Sequence, residues 1–242
     1  MTTESTTDVP GVVSSALFSL APYYDHGGIT IYHGDAAEIV PQLGRFDLLL
    51  TDPPYGIGRD KGNASGKDGS GFYSHAIRKE YPDSWDIRPS AEVMRTLIGA
   101  AKLAMVWGGN YFAHELPESS FWLVWDKENT MPTFSDCELA WTNSPRKSVK
   151  RLTYSGNGLM GKETKREHPT QKPVALMQWC IRLAGDVETI LDPFAGSGTT
   201  GRAAKDLGKR AVLIEREEKY CEIAAKRMSQ EVLPLYCENR PN

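Results

Sequence analysis

Residues 187–215 read VETILDPFAGSGTTGRAAKDLGKRAVLIE. Val187 to Leu191 is a short run in which every residue but Glu188 is aliphatic or β-branched, and it predicts a strand. Asp192-Pro193 ends it, because proline has no N–H for a ladder. Asp192 to Gly198 is a glycine-rich turn. Thr199 to Leu207 predicts a helix, closed by Gly208. Ala211 to Ile214 predicts a second strand, ending in Glu215. Strand, turn, helix and strand in this order form a βαβ unit, whose strands lie parallel in one sheet.

The same alternation extends outward. Glu217 to Ser229 predicts a helix with Tyr220, Ile223, Ala224 and Met228 on one side. Pro173 to Ala184 predicts another, with proline at its first position, Gly185 beyond its end and a stripe of Leu176, Cys180 and Leu183. Near the other terminus, Gly28 to Tyr32 reads as a strand, followed by His33-Gly34-Asp35 and a short helix from Ala36 to Leu43. Phe46 to Thr51 (FDLLLT) is a buried-strand run that stops at Asp52-Pro53-Pro54-Tyr55. Ser90 reads as the N-cap of a helix from Ala91 to Lys102. Further strands are expected at Leu103–Trp107, Phe121–Trp125 and Glu138–Trp141. Trp107, Trp122, Trp125 and Trp141 alternate with apolar strand residues and read as core. The class is α/β with a mostly parallel sheet. It is expected as a single domain over 17–242, behind a loose Ser/Thr-rich tail at 1–16. Six glycines crowd 56–71, so 56–84 is expected to be a mobile loop.

Composition narrows the class. The 242 residues are 40% hydrophobic and 24% charged, which suits a soluble folded chain and not a disordered one. No apolar run approaches the ~18 residues of a membrane span. No Lys or Arg precedes Arg45, so the early apolar stretch lacks the basic flank of a signal peptide. The four cysteines form no C-x-x-C pair. A disulfide framework or zinc site is not expected, and a cytoplasmic location is. Net charge is −3, yet 145–172 carries eight basic residues against two acidic ones.

Gly196-x-Gly198-x-x-Gly201 is a nucleotide-type turn, and Glu215 follows Gly196 by 19 residues, the spacing of an acid that takes ribose hydroxyls. Asp192 at the strand end would repel a pyrophosphate and attract a cationic ligand. No P-loop lysine follows. S-adenosylmethionine (SAM), with a ribose and a sulfonium, matches both acids. Asp52-Pro53-Pro54-Tyr55 ends a buried strand at the carboxyl edge, where open α/β sheets bind ligands. Two prolines remove donors and leave carbonyl acceptors, one carboxylate and one aromatic face. That set suits the amino group of an extruded base, with the ring of Tyr55 rather than its hydroxyl as the working part.

With both motifs in view, the chain resembles the beta-class DNA amino-methyltransferases. Asp52-Pro53-Pro54-Tyr55 resembles their catalytic motif and Asp192 to Thr200 (DPFAGSGTT) their SAM motif. His168-Pro169-Thr170-Gln171-Lys172-Pro173 and Gly34-Asp35-Ala36 resemble flanking elements, and catalytic motif before SAM motif is the order of that class. The resemblance implies a seven-stranded, mostly parallel sheet with helices on both faces. It implies methyl transfer from SAM to an exocyclic amine, adenine N6 when the motif begins with Asp. Asp52 and the Pro53 carbonyl would accept from the amine, within the rigid turn of Pro53 and Pro54, and Tyr55 would stack. Asp192, Phe194, Gly196, Ser197, Gly198 and Thr199 would shape the SAM pocket. Glu215 would hold the ribose, Asp35 the adenine, and Thr170 and Lys172 would lie near the methionine carboxylate.

The recognition region of this class falls at 142–167 here, which is short for a full recognition domain. Its Arg146, Lys147, Lys150, Arg151, Lys165 and Arg166, with Arg59, Lys61 and Lys67 of the loop, are candidate contacts to double-stranded DNA phosphates. A homodimer could supply a second contact surface. No metal is expected. Cytosine N4 methylation, an RNA substrate, a non-catalytic SAM- or DNA-binding subunit and a NAD enzyme stay open as alternatives. So do a role in a restriction-modification pair and an orphan or phage-borne enzyme.

Overall fold

A computed structural model describes residues 20–57, 86–128, 135–155 and 171–230. The tail at 1–16, most of 56–84 and the stretch 156–170 lie outside the described residues. The strands are β1 (Tyr24–His26), β2 (Ile29–His33), β3 (Phe46–Thr51), β4 (Ala101–Trp107), β5 (Trp122–Asp126), β6 (Cys137–Thr142), β7 (Lys150–Thr153), β8 (Thr189–Asp192) and β9 (Arg210–Glu215). The helices are α1 (Ala36–Ile39), α2 (Ala91–Gly99), α3 (Val174–Ala184), α4 (Thr199–Asp206) and α5 (Glu218–Met228), with a 3-10 turn at Gly109–Phe112.

Among the described residues, nine strands join one sheet in the order β1-β2-β9-β8-β3-β4-β6-β5-β7. β2, β9, β8, β3 and β4 are parallel; β6 runs against β4 and β5, and β5 pairs parallel to β7. Of these strands, β1 and β6 oppose the common direction.

The central strand shows why. Leu48, Leu49 and Leu50 are all fully buried, because helices cover both faces. Leu48 and Leu50 join Leu176, Cys180, Ala203, Ala224 and Met228 of α3, α4 and α5. Leu49 points the other way, onto Ile39 of α1 and Met94 and Leu97 of α2. Burying each such leucine contributes roughly 1.5–3 kcal/mol. Of the four tryptophans expected in the core, Trp107, Trp125 and Trp141 are buried and Trp122 is half-buried.

The expected count of seven strands becomes nine for local reasons. Gly27 and Gly28 both take positive φ, +61° and +80°, which closes a two-residue hairpin and folds β1 back on β2. β7 lies inside the basic window 145–172, where no strand was expected. It forms because the β5 edge offers it a ladder, and the Trp125 indole N–H donates to the Tyr154 carbonyl at 2.9 Å just beyond it. α2 ends at Gly99, earlier than expected, so Ala101 and Lys102 belong to β4.

Candidate active site

Strand order reverses between β8 and β3: from β8 the chain builds outward to β9, and from β3 it builds the opposite way to β4. Carboxyl ends at such a switch point form the ligand crevice of an open α/β sheet. The two ends are tied together, because the Thr51 hydroxyl donates to Asp192 Oδ1 at 2.8 Å. Asp52 is the next residue on one side and the glycine turn the next segment on the other.

The Asp52–Tyr55 turn closes on itself. The Tyr55 hydroxyl donates to Asp52 Oδ1 at 2.5 Å. Its ring stacks on Tyr111, with centroids 4.5 Å apart and planes 19° apart, and meets Phe112 edge-on at 6.3 Å. Tyr55 also packs closely against Gly108, where an added Cβ would sit 2.1 Å from its Cε1. Gly108 takes φ +68°, so its missing side chain serves both the turn and the packing. Beyond Tyr55, the Gly56 N–H donates to Asp86 Oδ1 at 2.8 Å. The hydroxyl expected to be idle is therefore engaged.

Lys172 enters this turn from the far side of the chain. Its Nζ donates to Asp52 Oδ2 at 2.5 Å and lies 3.0 Å from Glu138 Oε2. The Lys127 ammonium donates to the other oxygen of Glu138. Two cations and two anions thus balance in a largely buried cluster. Burial would push the Lys172 ammonium down, but Asp52 and Glu138 hold it well above the usual lysine range. Burial would likewise raise Glu138, but Lys172 and Lys127 bring its carboxyl down to about 2. Burial and the Asp52 charge push the Tyr55 phenol well up, so it stays a neutral donor. Lys172 was expected near a methionine carboxylate; its visible partners are Asp52 and Glu138.

Across the crevice, Gly196 and Gly198 take φ +50° and +79°. A Cβ on Gly198 would sit 2.9 Å from Ala224 Cβ, and one on Gly201 2.5 Å from Leu213 Cδ1. The glycines therefore bring α4 down onto β9 and α5. Glu215 anchors the turn: its Oε2 accepts from Gly196 N–H and its Oε1 from Glu217 N–H, both at 2.8 Å. Burial raises its pKa. Gly34 N–H donates to the Glu215 carbonyl at 2.9 Å, which sets exposed Asp35 beside the end of β9. Asp35 caps α1, accepting from Ala37 N–H at 2.7 Å. The Ser197 hydroxyl donates to Gln171 Oε1 at 3.0 Å, and Arg227 donates to Thr199 Oγ1 at 3.2 Å. Phe194 is half-buried against the α1 and α2 side of the sheet.

Asp192 differs from its expected part. It is 3% exposed, and Oδ1 accepts from Thr51 and from Phe194 N–H, the latter at 3.2 Å. Burial pushes its pKa up to about 6, against hydrogen bonds from Thr200, Thr51 and Phe194. It holds the two strand ends together rather than facing open space.

Of the basic candidates, Arg146, Lys147, Lys150 and Arg151 are exposed. Arg146 donates to the Leu183 carbonyl at 3.1 Å, and Arg151 lies 3.7 Å from Asp126. Arg59, Lys61, Lys67, Lys165, Arg166 and Thr170 lie outside the described residues. Glu138, Lys127 and Tyr111 were not anticipated. The signal for Glu138 was present, as a carboxylate in an otherwise apolar strand, CELAWT. No group of His, Cys, Asp and Glu among the described residues is placed to hold a metal ion.

Comparison with known proteins fits this geometry. The family model N6_N4_Mtase, described as DNA methylase, matches residues 78–226. The Type II methyltransferase M2.DpnII of Streptococcus pneumoniae is 28% identical over 254 residues, covering 87% of this chain and 93% of that protein. M2.LlaDCHI of Lactococcus lactis subsp. cremoris, also a Type II methyltransferase, is 26% identical over 86% of this chain and 92% of that one. Among solved structures, the M1.HpyAVI–SAM complex superposes with a TM-score of 0.55 at 24% identity, over 84% of this chain and all of that chain. The cytosine-N4-specific PvuII DNA methyltransferase gives 0.59 at 14% identity, over 89% and 92%. The last two are likenesses of fold.

Proposed function

The chain belongs to the N6_N4_Mtase family of DNA methylases, and from that premise we propose that it methylates the exocyclic N6 of adenine in double-stranded DNA, with SAM as methyl donor. The observation that carries this reading is the junction of two acceptor sets at one switch point. Asp52 and its proline turn end β3, and the Glu215-anchored glycine turn follows β8. Exposed Asp35, and Glu215 with lone pairs to spare, suit the adenosine end of SAM. When bound, SAM supplies an electrophilic methyl group on a sulfonium and leaves as a neutral thioether.

The protein's part is to make a poor nucleophile attack. The N6 lone pair is delocalised into the ring. Acceptance of its two N–H bonds by Asp52 and the Pro53 carbonyl draws the hydrogens out of plane and localises that pair. The Tyr55–Tyr111 stack offers an aromatic wall for an extruded base. No covalent intermediate with the protein is required. Burial pushes the Cys221 thiol up to about 12, and buried Cys180 rises further. The N–C bond that forms replaces the S–C bond that breaks, and the surplus proton on N6 passes to Asp52 or to water. Positioning and fixed charge account for the rate.

The test is transfer of radiolabelled methyl from SAM to plasmid DNA, followed by nucleoside chromatography. N6-methyladenine is the expected product. N4-methylcytosine would move the assignment to the other amine, and label in neither would overturn the reading.

A further inference from the structure

We propose that Glu138 is a positioning residue: it takes over the Lys172 ammonium while the target amine occupies Asp52. The inference rests on the reading of Asp52 as the amine's acceptor. In the structure Asp52 is already engaged, Oδ1 by the Tyr55 hydroxyl and Oδ2 by Lys172. Lys172 therefore competes with the target N–H for Oδ2.

Lys172 cannot leave for water, because its side chain is only 7% exposed and an unpaired buried ammonium is costly. It needs a second anion within reach. Glu138 Oε2 is 3.0 Å from the same nitrogen, so a small rotation about the end of the lysine chain moves the ammonium from one carboxylate toward the other. Lys127 occupies the opposite oxygen of Glu138, where it fixes the carboxylate and offsets part of its charge. Lys127 thereby sets how strongly Glu138 draws on Lys172. Glu138 pairs with Trp125 in the sheet, one residue from the carboxyl end of β5, so its backbone is held while the lysine moves.

The test is steady-state methyl transfer to DNA with labelled SAM, using the full chain and its variants, with SAM affinity read by calorimetry. Glu138→Gln leaves Lys172 with Asp52 as its one full counter-charge. KM for DNA is expected to rise about tenfold, with kcat and SAM affinity near wild type. Glu138→Asp, which keeps the charge, should recover most of the loss. In a Lys172→Met background, Glu138→Gln should cost nothing further, since Glu138 acts through the lysine. Lys127→Gln should lower KM, because Glu138 then draws Lys172 more strongly.

An unchanged KM in Glu138→Gln would overturn the proposal, as would an equal cost in the Lys172→Met background or a KM that does not fall with Lys127→Gln. The Lys127 arm decides alone if Glu138→Gln does not fold. Absence of any transfer by the wild type, measured first, would instead overturn the reading of the site and this proposal with it.

Discussion

In the proposed reaction two demands meet at Asp52: it accepts from the amine, and it neutralises a buried lysine. Asp52→Ala removes both. Methyl transfer should fall by about 10²–10³-fold or more, the usual cost of deleting one fixed polar partner of a reacting group. SAM binding by calorimetry should change little, because the glycine turn is anchored by Glu215. Asp52→Asn keeps an acceptor and should lose less. Tyr55 separates ring from hydroxyl. Phenylalanine keeps the stack on Tyr111 but loses a hydrogen bond to a carboxylate, worth about 1.5–3 kcal/mol, so a tenfold to hundredfold drop in kcat/KM is expected. Alanine loses the stack as well and should be worse. A Tyr55→Phe enzyme as fast as wild type would show that the hydroxyl bond is dispensable. The turn that carries Asp52 and Tyr55 was legible, because a proline-locked turn is a local feature, but the bond between its two side chains was not. The sequence was silent on Lys172 and Glu138 as their neighbours. Lys172 lies 120 positions from Asp52, and only the order of strands brings them together.

Elements that end at the crevice carry the next level of constraint. β8 ends in Asp192, whose folded pKa is raised to about 6 while an unfolded Asp titrates near ~3.9. The folded protein therefore binds the proton more tightly. Its contribution to stability is complete below the unfolded pKa and is lost as pH rises through the folded one. Asp192→Asn should consequently gain in melting temperature relative to wild type as pH is raised from about 4 to 6, with the difference level above that window. A difference flat across it would mean that Asp192 does not titrate there. The Gly108 turn gives a steric counterpart. Gly108→Ala places a methyl 2.1 Å from Tyr55 at a left-handed φ, so Tyr55 must move. A loss of ~1–3 kcal/mol in stability, with transfer activity falling too, is expected from denaturant titration and initial rates. Gly99→Ala, which meets nothing within 4 Å, is the control and should leave activity intact. Elements with strong local patterns were legible: FDLLLT, the glycine turn, and the helices with apolar stripes. β1 was not read: Gly27-Gly28 is a hairpin signal, but the largely exposed residues before it give no alternation. β7 was not read either, because Leu152 is its single half-buried residue and the strand exists only against β5.

Among the described residues, the first part of the basic window, around β7, lies at one end of the sheet. β7 is four ladder spacings from β3, about 19 Å at ~4.8 Å each. Net charge is −3, so general attraction to a polyanion is weak and binding must come from local groups. Lys147, Lys150 and Arg151 are exposed at this edge, and the Asp126 pairing of Arg151 is a long surface ion pair worth little. Arg146, though exposed, already donates to the Leu183 carbonyl and lies over the Phe121 ring, so it is the poorest of the four as a phosphate ligand. A duplex whose target base reaches Asp52 would have to extend over this flank for the cluster to contribute. Lys147, Lys150 and Arg151 changed together to Gln should then weaken binding to every DNA sequence alike. For every phosphate that is no longer neutralised, the slope of log affinity against log salt should fall by roughly 0.9. Arg146→Gln should leave the slope unchanged and lower the melting temperature instead, since it removes a tie between the window and α3. Fluorescence anisotropy with labelled duplexes at several salt concentrations measures the slope. If the triple variant keeps the wild-type slope, the edge strand is a solvated surface and the duplex lies elsewhere.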